Sequence, residues 1–283
     1  MQKLTYCSAR EIGKMRRAGL VVWLAHQRMA ALVEPGVTTA ELNEAVRETF
    51  RQFDAEPLFL NYPAHGAPPF PAETCISVNE QIVHGIPGNR KLREGDIVSV
   101  DTGCRIDGWC GDAAVTHAVG SVSEEVGQLL QVTRRALDIA VEQMGQAESW
   151  SQVAKAMDDH VSPFGYGIVE ELVGHGIGRK LHQPPDVPNY YSSGWAHLSD
   201  FKLRPGLVLA VEPMINLGTR QTKMAGDGWT INTADRQPSA HFEHTLALTN
   251  EGVRRLTGAP SQEELAELPD LDWLPAADQW FLW

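Results

Sequence analysis

The chain has 283 residues, enough for one large domain or two small ones, and its 43% hydrophobic and 21% charged content is typical of a globular protein. A net charge of −12 argues against a general nucleic-acid binder. No apolar run reaches the roughly 18 residues of a membrane span, and the start MQKLTYCSAREIGK lacks the apolar stretch of a secretory signal. We therefore expect a cytoplasmic protein without membrane association.

The first half of the chain is predicted to place two helices before a β-hairpin. Ser8 and Thr38 are each followed three residues later by Glu, the capping-box pattern that begins a helix. The first helix is predicted to reach about residue 32 and the second about residue 53. Residues 57–74 are Pro-rich and irregular. The segment CISVN after them is predicted to be a strand, and IVHGIPGN a turn region.

The second half repeats the same types of element. An amphipathic helix is predicted over 123–145, and Ser149-Trp-Ser-Gln152 begins another. The segment HQPPDVPNYY is expected to be a Pro-rich loop, whereas LVLAVEPMI, GWTI and HFEHTLALT are predicted strands. Because two helices and several strands occur in each half, the sequence permits a duplicated α+β fold, although the letters themselves show no repeat.

A hairpin with two aspartates is predicted within DIVSVDTGCRIDGWCGDAAVTHAV. The dipeptide Asp-Gly at 107–108 separates two β-rich runs and is a strong signal for a two-residue turn. In that register Gly103 pairs with Asp112 and Asp101 with Ala114, so the two acids are diagonal neighbours on one face. Such neighbours are about 7 Å apart. They repel each other unless one is protonated or a cation bridges them, and Gly103 leaves room for that cation.

Three further residues join this Asp pair as candidate metal ligands. His175 lies in GHGIG, Glu212 ends the apolar run LVLAV, and Glu243 lies in the predicted strand HFEHTLALT. Buried carboxylates cost several kcal/mol unless they are paired or bind metal. Two divalent ions would carry about +4 and offset four acids, so the set points to a two-metal hydrolase. Taken singly, each acid is also compatible with a solvated strand end, and His175 with a turn.

Four other histidines lie near these segments. His84 in IVHGIP and His182 in KLHQPP precede Pro-containing loops and are candidates for proton transfer or electrophilic assistance beside the metals. His241 and His244 resemble a ligand spacing, but on one strand they would face opposite sides, so we interpret both as non-ligands.

The segments CISVNEQIVHGIP, GDIVSVDTGCRIDGWCGDAAVT, GHGIGRKLHQPP, LAVEPMI, DGWT and FEHTLALT, in this order within residues 8–257, resemble type I methionine aminopeptidases. The resemblance implies the pita-bread fold, an α+β arrangement of duplicated antiparallel sheet with pseudo-two-fold symmetry, helices outside and metals at its centre. It also implies removal of the initiator methionine from nascent proteins and peptides when the next residue is small. A hydroxide bridging two divalent ions (Co, Mn, Fe or Zn) would be the nucleophile.

The same resemblance gives the candidate residues their roles. The acids and His175 would hold the metals, Glu212 would also carry the water proton to the leaving amine, and two histidines would contact the scissile bond. Phe70 stands where the family commonly has Tyr, and Leu181 where a bulkier aromatic is often found, so the shape of the methionine pocket stays open. The implied site comprises the catalytic residues His84, His182 and Glu212, the substrate-binding residues His84, His182, Phe70, Cys75 and Trp229, and the metal-binding residues Asp101, Asp112, His175, Glu212 and Glu243.

The last part of the chain has no counterpart in this resemblance. Residues 1–257 are predicted to form the catalytic domain, and 258–283 an acidic tail without a basic residue. The tail is expected to pack on the enzyme or to dock a partner through its aromatic residues, which are Trp273, Trp280, Phe281 and Trp283.

Partners and alternative functions follow from the same reasoning. The family resemblance implies substrates that begin with Met, a transient ribosome contact, and a monomer. The one dense basic face, on the first helix, is expected to be merely solvated; it consists of Arg10, Lys14, Arg16 and Arg17. The open alternatives are an Xaa-Pro aminopeptidase or prolidase, a binding module that has lost its metals, and a specialised paralogue.

Overall fold

The computed structural model describes residues 4–64 and 66–283, so the first three residues of the predicted catalytic segment and position 65 lie outside the described residues. No helix in these two ranges combines the length and apolar character that a membrane crossing requires. The described helices are α1 (Ala9–Ala30), α2 (Thr39–Gln52), α3 (Glu124–Met144), α4 (Trp150–Val161), α5 (Ser193–Leu198) and α6 (Gln262–Ala266).

The strands pair only in antiparallel fashion within the described residues. They are β1 (Glu56–Pro57), β2 (Cys75–Val78), β3 (Gln81–Val83), β4 (Ile97–Ile106), β5 (Trp109–Ala118), β6 (Gly167–Ile168), β7 (Gly174–Gly176), β8 (Gln183–Val187), β9 (Val208–Val211), β10 (Met214–Asn216), β11 (Thr222–Met224), β12 (Ile231–Thr233), β13 (Ser239–His241), β14 (His244–Thr249) and β15 (Gly252–Arg255). One sheet has the order β1-β4-β2 with β5 beside β4, and a second has the order β15-β14-β9-β7-β8. Two smaller sheets have the orders β13-β10-β6 and β11-β12-β3.

Each half of the molecule packs a helix pair against its strands. Helix α1 contacts α2 and lies on β4 and β5, whereas α3 contacts α4 and lies on β10, β13, β14 and β15. The hydrophobic core is mostly one continuous cluster that reaches from α1 and α2 across both larger sheets to α3 and α4. The two halves therefore share one interior, and the functional site lies between their strands.

The predicted capping boxes fix the starts of α1 and α2. The amide of Glu11 donates to the Ser8 hydroxyl at 3.4 Å, and the Ser8 amide donates back to the Glu11 carboxylate at 2.8 Å. Thr38 and Glu41 form the same reciprocal pair at 3.2 and 2.8 Å. These bonds satisfy amides that would otherwise lack partners at a helix start, so the prediction of both helix starts is confirmed.

The aspartate hairpin has the predicted register. Gly103 pairs with Asp112, and Asp101 with Ala114. Asp107 and Gly108 form the turn with φ values of 51° and 77°, as a turn matching the strand twist requires. On the other side of β4, β2 pairs through Cys75 with Asp101, which brings the thiol beside the acid.

Helix α1 lies against the hairpin with two glycines at the closest point. A Cβ added at Gly111, on β5, would lie 2.7 Å from the Gly19 amide nitrogen on α1, closer than atoms can approach. A Cβ at Gly19 would lie 2.1 Å from the Leu256 carbonyl oxygen. Both positions require glycine because backbone meets backbone there.

Three sequence segments fold differently from the prediction. The expected loop HQPPDVPNYY contains strand β8, an edge strand that pairs with β7 and tolerates Pro184 and Pro185 because an edge needs fewer amide donors. The predicted strands LVLAVEPMI and HFEHTLALT are each broken in two, at Glu212-Pro213 and at Phe242-Glu243. The breaks leave both acids between strands, where the chain turns from one sheet to the next.

The prediction that the basic face of α1 is solvated is wrong at Arg16. This guanidinium is 7% exposed and forms two bonds with the Glu264 carboxylate at 2.8 and 2.9 Å. It also donates to the carbonyl oxygens of Leu256, Gly258 and Ala259 at 2.7 to 3.0 Å. The sequence of α1 gave no sign of this role because the partners come from the distant end of the chain.

The tail packs on the rest of the protein, one of the two outcomes expected for it. Trp280 contacts Trp23 edge to face at 5.0 Å, and the Arg28 guanidinium lies 4.0 Å above the Trp273 ring. Trp283 is 6% exposed and belongs to the main core. The division of the chain at residue 257 stays a prediction.

Candidate metal centre and its pocket

One cavity of about 210 Å³ brings together every residue predicted for the site. It opens between the two larger sheets, with acids and histidines at one end and aromatic and aliphatic side chains at the other. The predicted residues along its wall are Phe70, Cys75, His84, Asp101, Asp112, His175, His182, Glu212, Trp229 and Glu243.

Oxygen and nitrogen ligand atoms converge at the polar end. One ligand atom from each of Asp112, His175 and Glu243 lies within 4.8 Å of the other two. The His175 Nε2 atom lies 3.9 Å from Asp112 Oδ2 and 3.6 Å from Glu212 Oε1. Asp101 lines the same cavity from β4. The mixture of carboxylate oxygens with one imidazole suits Mn, Fe, Co or Zn.

The acids lack the protein partners that buried carboxylates need. Among the described residues, Asp101 Oδ1, Asp112 Oδ1 and Glu243 Oε1 are buried and accept no hydrogen bond. Asp112 and Glu243 are only 3% and 2% exposed. An unsatisfied buried carboxylate is strongly unfavourable. A divalent cation at this place would supply the missing partner, so the residues present fit a metal centre.

Burial raises the pKa of every acid in the cluster. The pKa of Asp112 is raised to about 7, and those of Asp101, Glu212 and Glu243 are raised well above their usual values. For these three acids, repulsion from the charge of Asp112 adds to the effect of burial. The cluster therefore resists carrying four negative charges by itself, and a positive ion would reverse this preference.

The two acids from opposite halves are fixed to each other through the backbone. The Glu243 amide donates to the Ala114 carbonyl oxygen at 2.8 Å. Ala114 lies in β5, and Glu243 lies in the break before β14. The Thr245 hydroxyl donates to the Asp112 carbonyl oxygen at 2.8 Å and accepts from the Asp112 amide at 3.0 Å. These three hydrogen bonds fix the backbone of Asp112 relative to the backbone of Glu243.

Glu212 is placed by the break between β9 and β10. Its amide donates to the Asn189 side-chain oxygen at 3.2 Å, and its carboxylate faces both His175 and His241. The His241 Nε2 atom lies 3.9 Å from Glu212 Oε2. His241 ends β13 and His244 begins β14, so the single strand on which their opposite faces were argued does not exist. Their interpretation as non-ligands stays a prediction.

Three histidines line the same cavity as the acids, and burial favours the neutral form of each. Burial lowers the pKa of His84 to about 4 and that of His175 to about 3, and it also lowers the pKa of His182. The rings of His175 and His182 are 4.3 Å apart and nearly perpendicular. His84 adopts a left-handed backbone with φ of 58°, which is uncommon outside glycine and concentrates at functional sites.

The sequence interpretation missed Tyr62, whose hydroxyl lies 2.7 Å from the Nδ1 atom of His182. This contact fixes the ring orientation of His182, which lines the cavity. Residues 57–74 were interpreted only as irregular, and no periodic pattern links Tyr62 to a residue 120 positions later. Its position before Pro63 was the one local sign of a constrained backbone.

The apolar end of the cavity has aromatic walls. Phe70 and Trp229 meet edge to face at 5.2 Å, and the Trp229 indole donates to the Pro68 carbonyl oxygen at 2.9 Å. Cys75 is buried, which raises the pKa of its thiol well above the usual value and keeps it neutral. Further apolar wall residues that the sequence did not suggest are Phe59, Val83, Leu172, Val173 and Met214.

Comparison with known proteins agrees with this architecture. Residues 13–250 match the description of metallopeptidase family M24. Over 248 residues the chain is 39% identical to methionine aminopeptidase 1 of Bacillus subtilis, covering 88% of this chain and 96% of that protein. It is 40% identical over 257 residues to methionine aminopeptidase 1 of Mycobacterium tuberculosis, covering 88% and 93% respectively. The chain therefore belongs to metallopeptidase family M24.

Solved structures extend the comparison to the fold. Methionine aminopeptidase from Thermotoga maritima has a TM-score of 0.84 at 37% identity and covers 90% of this chain and 99% of its own. Prolidase from Pyrococcus furiosus has a TM-score of 0.71 at 20% identity, over 90% of this chain and 66% of its own, and supports the fold alone. The predicted pita-bread fold, the resemblance to methionine aminopeptidases and the metallo-aminopeptidase class are confirmed.

Proposed function

We propose that this protein removes an N-terminal methionine from peptides and nascent proteins when the next residue is small. The observation that carries the proposal is the group of buried carboxylate oxygens without protein partners, converging with His175 at one end of an apolar cavity. A metal centre beside an apolar pocket for one side chain is what an exopeptidase of this class needs.

The metal-holding residues in this proposal are Asp101, Asp112, His175, Glu212 and Glu243, around two divalent ions. When bound, such ions supply a hydroxide nucleophile near neutral pH and polarise the scissile carbonyl. Which of Co, Mn, Fe or Zn is used depends on availability as much as on ligand chemistry, because the oxygen-rich set suits all four.

Three residues are proposed to act on the substrate. Glu212, whose pKa is raised by burial, takes up a proton from water and passes it to the leaving amine. His182, held by Tyr62, donates a hydrogen bond to the carbonyl oxygen as negative charge develops there. His84, neutral because burial lowers its pKa to about 4, faces the scissile amide nitrogen.

The methionine side chain is proposed to occupy the aromatic end of the cavity. Phe70 and Trp229 offer ring edges and faces, and thioether sulfur makes favourable contacts with aromatic rings of about 0.3–1.5 kcal/mol each. Cys75 forms part of the same wall as a neutral thiol. The replacement of Tyr by Phe at position 70 removes one polar group from this wall and makes it better suited to an apolar side chain.

The test is release of methionine from the peptide Met-Ala-Ser by chelator-stripped protein, before and after Mn, Fe, Co or Zn is added back separately. We expect release only with metal and loss of release in Asp112→Asn, which keeps the side-chain volume and removes the charge. Release by Asp112→Asn at the rate of the unaltered protein would contradict the assigned centre.

A panel of Xaa-Pro peptides distinguishes the proposed activity from that of an Xaa-Pro aminopeptidase or prolidase. Cleavage of Xaa-Pro with no release from Met-Ala-Ser would favour a prolidase-like activity on the shared fold. No cleavage of either substrate with any metal would favour a binding module. Equal sensitivity to active-site inhibitors in a side-by-side assay with a housekeeping methionine aminopeptidase would remove the idea of a specialised paralogue.

The cellular setting is part of the same proposal: a cytoplasmic monomer that meets its substrates at the ribosome. The expected basic face is reduced because Arg16 is buried and Arg17 pairs with Asp107 at 3.0 Å. Cosedimentation with ribosomes at low and high salt tests the contact, and absence of salt-sensitive association would remove it. Size-exclusion chromatography with light scattering tests the monomer.

A further inference from the structure

The tail reaches β14, the strand that begins directly after Glu243. Glu243 lines the cavity from the break before β14, and the next residue, His244, is the first residue of β14 and is buried. There His244 meets Trp283: the two rings stack at 5.5 Å with an interplanar angle of 17°. The His244 Nε2 atom donates to a main-chain oxygen of Trp283 at 3.1 Å, and Nδ1 accepts from the Thr257 hydroxyl at 2.9 Å.

Trp283 also bonds the peptide group of Glu243 itself. Its indole Nε1 donates to the Glu243 carbonyl oxygen at 3.4 Å. On the other side, the Glu243 amide donates to Ala114. The backbone of this acid is therefore held from β5 at its amide and from the tail at its carbonyl, and no helix or sheet ladder supplies either bond.

The Trp283 ring also lies behind Asp112, through its contact with His26. The Trp283 and His26 rings are 5.0 Å apart, and His26 Nε2 donates to the Ala113 carbonyl oxygen at 3.0 Å, next to Asp112 in β5. His26 and His244 are both buried. Trp283 thus contacts the residues behind both Asp112 and Glu243, which are the two acids that join the halves of the site.

The tail is fixed firmly enough to act in this way. Gln27 forms a pair of bonds with the Phe281 backbone, accepting from its amide at 2.8 Å and donating to its carbonyl at 2.7 Å. The Phe281 ring lies 4.4 Å from that of His117. Farther back, Arg16 and Glu264 form their bidentate pair. These contacts hold the tail at Glu264 and at Phe281.

We propose that Trp283 is a positioning residue for the metal centre, setting the affinity and ligand geometry of the site by fixing the backbone at Glu243 and Ala113. The inference rests on the proposed metal centre. Residues that orient metal ligands from behind change metal affinity by roughly 10–100-fold when they are altered. The tail is then a structural part of the catalytic unit, although the site's acids all precede it in the chain.

Co²⁺ titration of chelator-stripped protein tests the proposal, with calorimetry for affinity and visible absorption for ligand geometry. We expect Trp283→Ala to bind Co²⁺ about tenfold more weakly than the unaltered protein and to show a changed absorption band. Trp283→Phe keeps a ring against His244 but loses the Nε1 donor, so its affinity should fall between the two. Trp273→Ala is the matched control, because that ring lies under the Arg28 guanidinium of α1 and its Nε1 donates to the Gln52 side chain of α2 at 3.2 Å.

Each other outcome has a separate meaning. Unchanged affinity and absorption in a folded Trp283→Ala, checked by circular dichroism, would overturn the positioning role and leave the metal centre intact. An equal loss of affinity in Trp273→Ala would also overturn it, since general loosening of the tail would then be the cause. Failure of both Trp283 variants to fold would make Trp283 a core residue only. No Co²⁺ binding by the unaltered protein would overturn the proposed metal centre and this inference together.

Discussion

Replacement of Gly103 by alanine tests the metal centre without replacing any of the proposed ligands. Gly103 lies within β4 opposite Asp112 and has no left-handed backbone, so alanine is compatible with its conformation. The new Cβ would lie 2.8 Å from Asp112 Oδ1 and 3.2 Å from Asp112 Cγ. One methyl group thus presses directly on a carboxylate that is proposed to hold the metals.

The magnitude follows from these distances. Non-bonded atoms prefer separations near 3.5 Å or more, so the carboxylate must withdraw by roughly half an ångström. Metal–ligand distances are held within about 0.2 Å, and the displacement exceeds that tolerance. We expect metal affinity to fall about 10–100-fold, equivalent to about 1.4–2.7 kcal/mol.

The assay is methionine release from Met-Ala-Ser as a function of added metal. Gly103→Ala should require more metal for half-maximal activity, and excess metal should restore much of the rate. Gly127→Ala, on α3, is the control because its Cβ would meet no atom of residues 4–64 or 66–283 within 4 Å; it should leave the metal requirement unchanged. Wild-type metal dependence in Gly103→Ala would refute the placement of the cation beside Asp112.

Three further results are expected. Tyr62→Phe, which removes the 2.7 Å contact to His182, should lower kcat about tenfold with little change in KM; an unchanged kcat would show that His182 needs no such support. Because the Arg16 contact lowers the Glu264 pKa to about 2, that pair stabilises the fold above the unfolded pKa near 4.5 and loses its effect as pH falls toward 2. Glu264→Gln should therefore be less stable by about 1–2 kcal/mol at neutral pH, allowing for partial exposure, and equal at acid pH; a pH-independent difference in urea titrations would contradict this. Added Mn²⁺ at about 100 times its Kd should raise the stability of stripped protein by about 2.7 kcal/mol, and an unchanged Tm would argue against the centre.

Local signals were sufficient for much of the fold. Both capping boxes and the 107–108 turn act over three or four residues, and the alternation of β4 and β5 then fixes the register of Asp101 and Asp112. Each of these predictions depends only on residues that are close together in the chain, so the local sequence is sufficient to make it.

Longer-range features lay beyond such patterns. The edge position that lets Pro184 and Pro185 belong to β8 depends on which strands surround it, and the breaks at Glu212 and Glu243 depend on the sheet to which each half-strand pairs. The burial of Arg16 needs partners about 240 residues away. Local periodicity cannot predict the edge strand, the strand breaks or the burial of Arg16, because tertiary packing determines each of them.

The candidate site also contains residues that the sequence predicts and residues that it does not. Acids in apolar segments predict the polar end of the cavity from the sequence alone, because a charged residue within an apolar strand is costly unless it has a partner. Tyr62 and the aliphatic wall carry no such signal, since an aromatic or aliphatic residue is ordinary anywhere in a core. Trp283 was noted only as one aromatic of the tail, and its relation to Glu243 appears only in three dimensions.

The meeting of Gly19 and Gly111 has a consequence for how this sequence can change over time. Alanine is one nucleotide away from glycine, yet a Cβ at position 111 would enter the backbone of α1, and one at position 19 would enter the Leu256 peptide. No single neighbouring change relieves either overlap, because the obstructing atoms are backbone atoms common to every residue type. In a library of all single variants, these two positions should therefore reject every replacement, whereas Gly13 on the same helix, with nothing within 4 Å of an added Cβ, should accept most of them.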